Sequence, residues 1–179
     1  YEGLVTLYIY GLLFFITTNF IKTKEQIMKA MYTMIIAGVC GSSYGVIQRM
    51  GLDPYAWGGV ATNVTIIGTI GQPNFFAAYL DMAFIIGLAL LLNLKDMDWG
   101  MFDKEHIYNL IHRIALLLSL LLIFFGILNT VSRGGLTGLL IGVSLFFTLS
   151  NRKTVLSKWR ELSLLLLLVV TILTITYLN

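Results

Sequence analysis

Charged residues are scarce in this sequence. Only 12% of the 179 residues are charged, whereas 58% are hydrophobic, and the mean hydropathy is +0.85. A soluble domain needs a wetted surface and rarely has so little charge. Apolar runs of bilayer length recur along the whole chain. The composition therefore predicts an all-α, polytopic transmembrane helical bundle.

Cysteine and histidine are also rare, which argues against two kinds of site. Cys40 is the single cysteine, so the chain forms no internal disulfide. His106 and His112 are six residues apart, a spacing that does not place two metal ligands on one helical face. Asp96 and Asp98 resemble the D-x-D of nucleotide-sugar enzymes, but paired acids are common in solvated loops. We expect no metal site and no cofactor.

Six apolar segments are predicted to cross the bilayer, although the fifth is shorter than the roughly 20 residues that a span requires. Both chain ends lie beside apolar runs, and no signal peptide is present. We therefore expect one partial transmembrane domain, residues 1–179, of a larger membrane protein. The segments are Leu4–Ile21, Ile27–Met50, Asn74–Leu94, Ile114–Val131, Gly135–Leu149 and Leu162–Leu178.

Lysine and arginine in the connections predict the orientation of these helices. Of the 12 basic residues, ten lie in or close beside the first, third and fifth connections, and only Arg49 and Arg133 lie on the other side. Cytoplasmic loops carry such an excess, so the odd-numbered loops are predicted to be cytoplasmic. Arg49, Gln72 and Arg133 then face the outer side. The net charge of +3 reflects this topology, and we expect no nucleic-acid partner.

Small residues recur at helical spacing in two of the segments. Such residues let neighbouring helix backbones approach closely, so the pattern favours tight packing over a substrate groove. They are Gly38, Gly41, Ser42 and Gly45 in the second segment, and Gly134, Gly138 and Gly142 in the fifth.

Two helix starts are predicted on the outer side. Pro73 suits the first turn of a helix, with either Asn74 or Gly71 together with Gln72 as its cap, and Ser132 is a candidate cap for the fifth segment. Helix N-termini bind phosphate-like anions, and an arginine adds a bidentate donor. Arg133 lies in a hinge too short to be a solvated loop. For Arg49, an alternative is a side chain that extends to lipid headgroups.

Asp81 lies about two turns into the third segment. A carboxylate at that depth usually faces the bundle interior and is paired or protonated. It is either a proton-coupling group, as in a transporter, or a hydrogen-bonding partner of a neighbouring helix.

The two helix starts also resemble a known family. Gly71–Tyr79, GQPNFFAAY, resembles the G-N-P-N-x-x-A-x-Y signature of the O-antigen ligase and polymerase superfamily, and Thr130–Gly134, TVSRG, resembles its T-x-S-R-G signature. Gln48–Pro54 resembles the Y-Q-x-x-G-L-D-P-type segment that often precedes them. The resemblance covers roughly residues 30–150, in the family's order and spacing.

The resemblance implies a metal-independent membrane glycosyltransferase. Such enzymes transfer a glycan from polyprenyl (undecaprenyl) diphosphate to a lipid, glycan or protein acceptor on the outer face of the bacterial inner membrane. Arg133 would bind the donor diphosphate and stabilise it as the leaving group, and Arg49 is a weaker candidate for this role. Gln72 replaces the family's usual Asn. The resemblance extends the donor-binding site to Ser132, Gln72 and Asn74.

The catalytic residue of the family has no counterpart in this sequence. Its proposed histidine lies in a large external loop beyond the second signature, whereas His106 and His112 precede Arg133. We therefore expect this chain to contain the donor-binding part without the catalytic base. Such a chain would be inactive alone. Two other functions stay open: a transporter or flippase of an anionic or lipid-linked substrate, in which Asp81 couples to protons, and a non-catalytic membrane subunit.

Overall fold

The computed structural model describes residues 3–55, 57–59, 61–93, 104–150, 155–156 and 158–178. These residues contain no strand and six helices of at least 17 residues. The all-α prediction is confirmed, and each predicted segment corresponds to one helix. The helices are α1 (Leu4–Phe20), α2 (Lys24–Arg49), α3 (Pro73–Asn93), α4 (Lys104–Asn129), α5 (Arg133–Leu149) and α6 (Trp159–Leu178).

Length and hydropathy together identify the helices that could cross a membrane. Within the described residues, only Lys24–Arg49, Pro73–Asn93 and Ile107–Asn129 are long and apolar enough to cross a membrane. Helices α1 and α5 have 17 residues each, which at 1.5 Å per residue cover about 25 Å of a hydrocarbon core of roughly 30 Å. The structure thus supports three of the six predicted spans. Three such helices are compatible with a membrane protein in a lipid bilayer.

The chain divides into two compact units, Tyr1–Thr33 and Met34–Asn179. In the first unit, none of the residues of α1 is buried, and its large apolar side chains are exposed. A capping box begins α2: Gln26 N donates to Thr23 Oγ1 at 3.2 Å, and Thr23 N donates to Gln26 Oε1 at 3.0 Å. This reciprocal pair satisfies backbone donors that the first turn of a helix leaves unpaired.

Helix α3 is the core of the second unit and packs against α4 and α5. Leu80 of α3 lies beside Gly126 of α4, and Gly87 of α3 lies beside Leu120 of α4. Because residue numbers rise along α3 as they fall along α4, these two helices are antiparallel. The rings of Phe84 and Phe124 also meet across this interface, with centroids 6.0 Å apart.

The contacts between α3 and α5 have the opposite sense, so these two helices are parallel. A Cβ atom built on Gly135 would lie 2.5 Å from Ala77 Cβ, one on Gly138 would lie 3.2 Å from Asp81 Oδ2, and one on Gly142 would lie 2.5 Å from Ile85 Cδ1. The predicted tight packing is confirmed. The prediction of Gly134 on this face is wrong, because its nearest neighbour would be Ser132 Oγ at 3.9 Å.

The small residues of α2 lie against the rest of the second unit. A Cβ atom on Gly38 would lie 3.1 Å from Ala83 Cβ, one on Gly41 would lie 3.2 Å from the Phe76 ring, and one on Gly45 would lie 2.7 Å from Ile66 Cδ1. Ser42 is fully buried beside Gly126 of α4. The packing function predicted for this set is confirmed as well.

Gly135 and Gly134 offer a matched test of the interface between α3 and α5. We expect Gly135→Ala to destabilise the protein by about 1–3 kcal/mol, since the methyl group of Ala77 cannot move aside without separating the two helices. Gly134→Ala adds the same atoms in open space and should be neutral or slightly stabilising. The measurement is reversible unfolding in detergent micelles. Equal losses in the two variants would contradict the described register.

Candidate functional site

The start of α3 is fixed by Gln72. The Gln72 Oε1 atom accepts a hydrogen bond from Phe75 N at 2.8 Å, and the Gln72 carbonyl accepts from Phe76 N at 3.0 Å. Pro73 is the first helical residue, where its missing N–H is no loss. Of the two predicted alternatives, the one with Gln72 is observed, and Asn74 is left for another interaction.

The start of α5 is fixed by Ser132, whose side chain is also the link between the two helix starts. Ser132 Oγ accepts from Gly135 N at 3.0 Å and donates to Asn74 Oδ1 at 2.8 Å. Ser132 is only 3% exposed, so this hydroxyl is withdrawn from solvent. The predicted cap is confirmed. In addition, one side chain joins the two segments that carry the predicted signatures, which are 58 residues apart in the sequence.

Arg133 is the first residue of α5 and is exposed beside this link. Within the described residues, its guanidinium makes no hydrogen bond or ion pair. The backbone N–H groups of Arg133 and Gly134 likewise have no hydrogen-bond partner among those residues. A cation and two backbone donors are therefore available at one helix start. We refer to Gln72, Asn74, Ser132 and Arg133 as the helix-start cluster.

Val131 precedes this cluster and has a left-handed backbone conformation, with φ of +53°. A β-branched residue in this region is an outlier that costs of the order of 1–3 kcal/mol. Its neighbour Thr130 is buried and holds the hinge, since Thr130 Oγ1 donates to Ile127 O at 2.7 Å and accepts from Ser132 N at 3.3 Å. Backbone strain of this kind is concentrated at functional sites. A valine at position 131 does not indicate this left-handed conformation in the sequence.

Arg49 binds the connection between α2 and α3. Its Nη1 atom donates to the carbonyls of Asn63 and Val64, at 2.7 Å each. These two bonds anchor the connection between α2 and α3, and the same connection is tied to the end of α4 by Ile66 N, which donates to Asn129 O at 3.0 Å. Within the described residues, no hydrogen bond joins Arg49 to the helix-start cluster. In this structure the side chain of Arg49 therefore stabilises the connection between α2 and α3.

Gln48 also holds this connection, a role that the sequence did not reveal. Its side chain is fully buried, and its Oε1 atom accepts from Ile67 N at 3.2 Å and from Gly68 N at 2.9 Å. Gly68 has φ of +56°, and a Cβ atom there would lie 2.5 Å from the Phe76 ring, so glycine is required on both counts. The turn before α3 is thus fixed from the end of α2.

The carboxylate of Asp53 accepts four hydrogen bonds and lies at the centre of the same connection. The donors are Trp57 Nε1 at 2.7 Å, Tyr44 Oη at 2.9 Å, Gln48 Nε2 at 3.0 Å and Tyr55 N at 3.1 Å. Partial burial raises the pKa of Asp53, but the hydrogen bonds outweigh it and hold this pKa below its usual value. An ionised carboxylate has about four acceptor sites, so Asp53 has none left for a metal or a substrate proton.

Asp81 lies on the face of α3 that meets α5. Its side chain is 7% exposed, and its Oδ1 atom has no hydrogen-bond partner in the described residues. The Oδ2 atom lies beside Gly138, where the absence of a side chain makes room for the carboxyl group. The expected interior position is observed. The alternative of a hydrogen bond to a neighbouring helix finds no support among the described residues.

The remaining candidates are Asp96, Asp98, His106 and His112. Asp96, Asp98 and the side chain of His106 lie outside the described residues, and His112 is on α4. Among the residues that the structure describes, no three His, Cys, Asp or Glu side chains are grouped to hold a metal ion. No family model, curated protein or solved structure matches this chain. The family resemblance therefore stays a prediction.

The lowered pKa of Asp53 predicts a local transition in acid. The hydrogen bonds stabilise the ionised form, so their contribution is present above the usual pKa of 3.8 and is lost as the pH falls through the lowered value. We expect the emission of Trp57, kept as the only tryptophan by Trp99→Phe and Trp159→Phe, to shift to longer wavelength between about pH 5 and pH 2. Asp53→Asn should remove this transition. A similar transition in Asp53→Asn would show that another group causes it.

Proposed function

We propose that this chain is part of a membrane glycosyltransferase similar to O-antigen ligases and polymerases, and that the helix-start cluster binds the diphosphate of a polyprenyl-linked glycan. The observation that supports the proposal is the hydrogen bond between Ser132 and Asn74. It joins the two signature segments at one point, as a shared substrate would require. In this proposal the bundle has six spans, and the cluster faces the outer side of the bacterial inner membrane.

The electrostatics of the cluster suit a diphosphate. Parallel α3 and α5 begin side by side, and each helix start carries roughly half a positive charge from its aligned peptide dipoles. The N–H groups of Arg133 and Gly134 add direct donors, and Gly134 has no side chain to block an approaching phosphate. The guanidinium of Arg133 supplies a full charge and a planar pair of donors for phosphate oxygens.

This charge would act on the leaving group of the transfer reaction. When the acceptor attacks the anomeric carbon, the bond from that carbon to the diphosphate oxygen breaks, and the departing diphosphate gains negative charge. An arginine bound to the diphosphate stabilises that charge more strongly in the transition state than in the bound donor. Activation of the acceptor is assigned to no residue of this chain. The proposed role is therefore donor binding and leaving-group stabilisation.

A transporter or flippase of an anionic or lipid-linked substrate is the second candidate, and Asp81 favours it. The carboxyl group is buried, its Oδ1 atom has no hydrogen-bond partner among the residues that the structure describes, and it lies two turns below Asn74 on the same face of α3. Ionisable residues within membrane helices often relay protons. In this reading the helix-start cluster binds the anion, and Asp81 binds and releases a proton during transport.

Replacement of Arg133 tests the donor-binding role in the full-length protein. Arg133→Ala should lower the rate of glycan transfer at least about 100-fold, the loss typical when a donor to a developing negative charge is removed. Arg133→Lys should retain a small part of the activity, because lysine keeps the charge and loses the bidentate geometry. The measurement is transfer of a labelled glycan from its polyprenyl diphosphate in proteoliposomes.

Arg160→Ala is the matched control, because Arg160 is an exposed arginine on α6. It should transfer glycan at the wild-type rate, and all variants should be compared at equal amounts of folded protein. Transfer by Arg133→Ala at the wild-type rate would refute the proposed role. The transporter would instead be established by two results together. The wild-type protein would take up the lipid-linked glycan and Asp81→Asn would not, and no variant would transfer the glycan.

A further inference from the structure

A cavity of about 500 Å³ lies next to the helix-start cluster and contains none of its residues. The described residues that line it are Tyr44, Tyr55, Trp57 and Thr69, and three of these four are aromatic. Tyr44 is near the end of α2, and the other three residues belong to the connection between α2 and α3. We call Tyr44, Tyr55 and Trp57 the aromatic platform.

Asp53 holds two of these rings in place. Tyr44 Oη and Trp57 Nε1 both donate to its carboxylate, at 2.9 Å and 2.7 Å. The polar atom of each side chain is therefore turned to Asp53, and its ring is left to line the cavity. A rigid ring binds a ligand with little loss of conformational entropy, so these contacts preorganise the platform.

An interfacial anchor would look different. Tryptophan in the aromatic belt of a membrane protein is amphipathic, with its ring among the lipids and its polar end at the headgroups. The N–H group of Trp57 is instead bound to Asp53 within the protein, and the side chain is half-buried. The ring of Trp57 is thus held for a binding surface rather than for contact with headgroups.

The walls of the cavity select the class of ligand. None of the described lining residues is charged, and the four hydrogen bonds of Asp53 leave its carboxylate no acceptor site for a ligand. It offers aromatic faces and the hydroxyl of Thr69, which makes no hydrogen bond within the described residues. A pyranose ring matches this surface, because its C–H faces are apolar and its edge carries hydroxyl groups.

The platform adjoins the proposed diphosphate site. A Cβ atom built on Gly71 would lie 3.6 Å from Cζ3 of the Trp57 ring, and Gly71 immediately precedes the cap of α3. We propose that the aromatic platform binds the first sugar ring of the donor, the one attached to the diphosphate. This inference rests on the proposed function, since the diphosphate must be bound at the helix-start cluster for that sugar to reach the platform.

The test compares two ligands on the full-length protein in nanodiscs: undecaprenyl diphosphate, and undecaprenyl diphosphate bearing one N-acetylglucosamine. We expect the wild-type protein to bind the sugar-bearing lipid about fivefold to tenfold more tightly, as one aromatic stacking contact allows. Trp57→Ala should reduce this ratio to about one while the affinity for the sugar-free lipid is retained. Dissociation constants are measured by microscale thermophoresis.

Tyr55→Ala is a second test of the platform, in case Trp57→Ala disrupts the folding of the connection. Only the backbone N–H of Tyr55 contributes to the Asp53 contacts, and its side chain is exposed, so this variant keeps all four hydrogen bonds. It should also lower the ratio. Tyr108→Ala, which removes an exposed tyrosine of α4, is the matched control and should leave the ratio unchanged.

The outcomes separate the platform from the diphosphate site. Arg133→Ala should weaken binding of both lipids equally and leave their ratio unchanged. A wild-type ratio of one, or a ratio unaffected by both Trp57→Ala and Tyr55→Ala, would overturn the platform alone. Unchanged affinity of Arg133→Ala for the sugar-free lipid would overturn the proposed function. Absence of binding of either lipid to the wild-type protein would overturn both.

Discussion

The hydroxyl of Ser132 makes two hydrogen bonds on which the arrangement of α3 and α5 depends. It accepts from the backbone at the start of α5 and donates to Asn74 in the first turn of α3. Ser132 is buried, where a hydroxyl group without a hydrogen-bond partner is costly, so its bond to Asn74 favours one register of the two helices. That register then places Ala77 against Gly135 and Ile85 against Gly142. A parallel helix pair with adjoining N-termini is the result.

A second set of polar contacts fixes the connection between α2 and α3, which lies beside the start of α3. Gln48 fixes the turn at Gly68, Arg49 binds two carbonyls of the connection, and Asp53 gathers four donors. These polar contacts replace helical structure between α2 and α3, and they position Trp57 beside Gly71. The chain therefore has charge at the helix-start cluster and aromatic faces next to it. This division fits a ligand with an anionic group joined to an uncharged ring.

Local patterns were sufficient to predict the helices and their caps, because apolar runs, Pro73 and Ser132 act through neighbouring residues. The number of spans was not predictable in the same way, since only three helices within the described residues are long and apolar enough to cross a membrane. The sequence also does not show which of the adjacent Gly134 and Gly135 faces Ala77. The contacts of Gln48 with the turn at Gly68 reach across 20 residues, and the strain at Val131 is imposed by its neighbours. Neither feature has a local sequence signal.

A double-mutant cycle of Asn74→Ala and Ser132→Ala tests the central claim most directly. The free energy of unfolding in detergent micelles is measured for the wild-type protein, both single variants and the double variant. If Ser132 and Asn74 join the two helix starts, the losses are not additive, and the coupling free energy is about 0.5–3 kcal/mol. Losses that add within about 0.3 kcal/mol would contradict the link between α3 and α5.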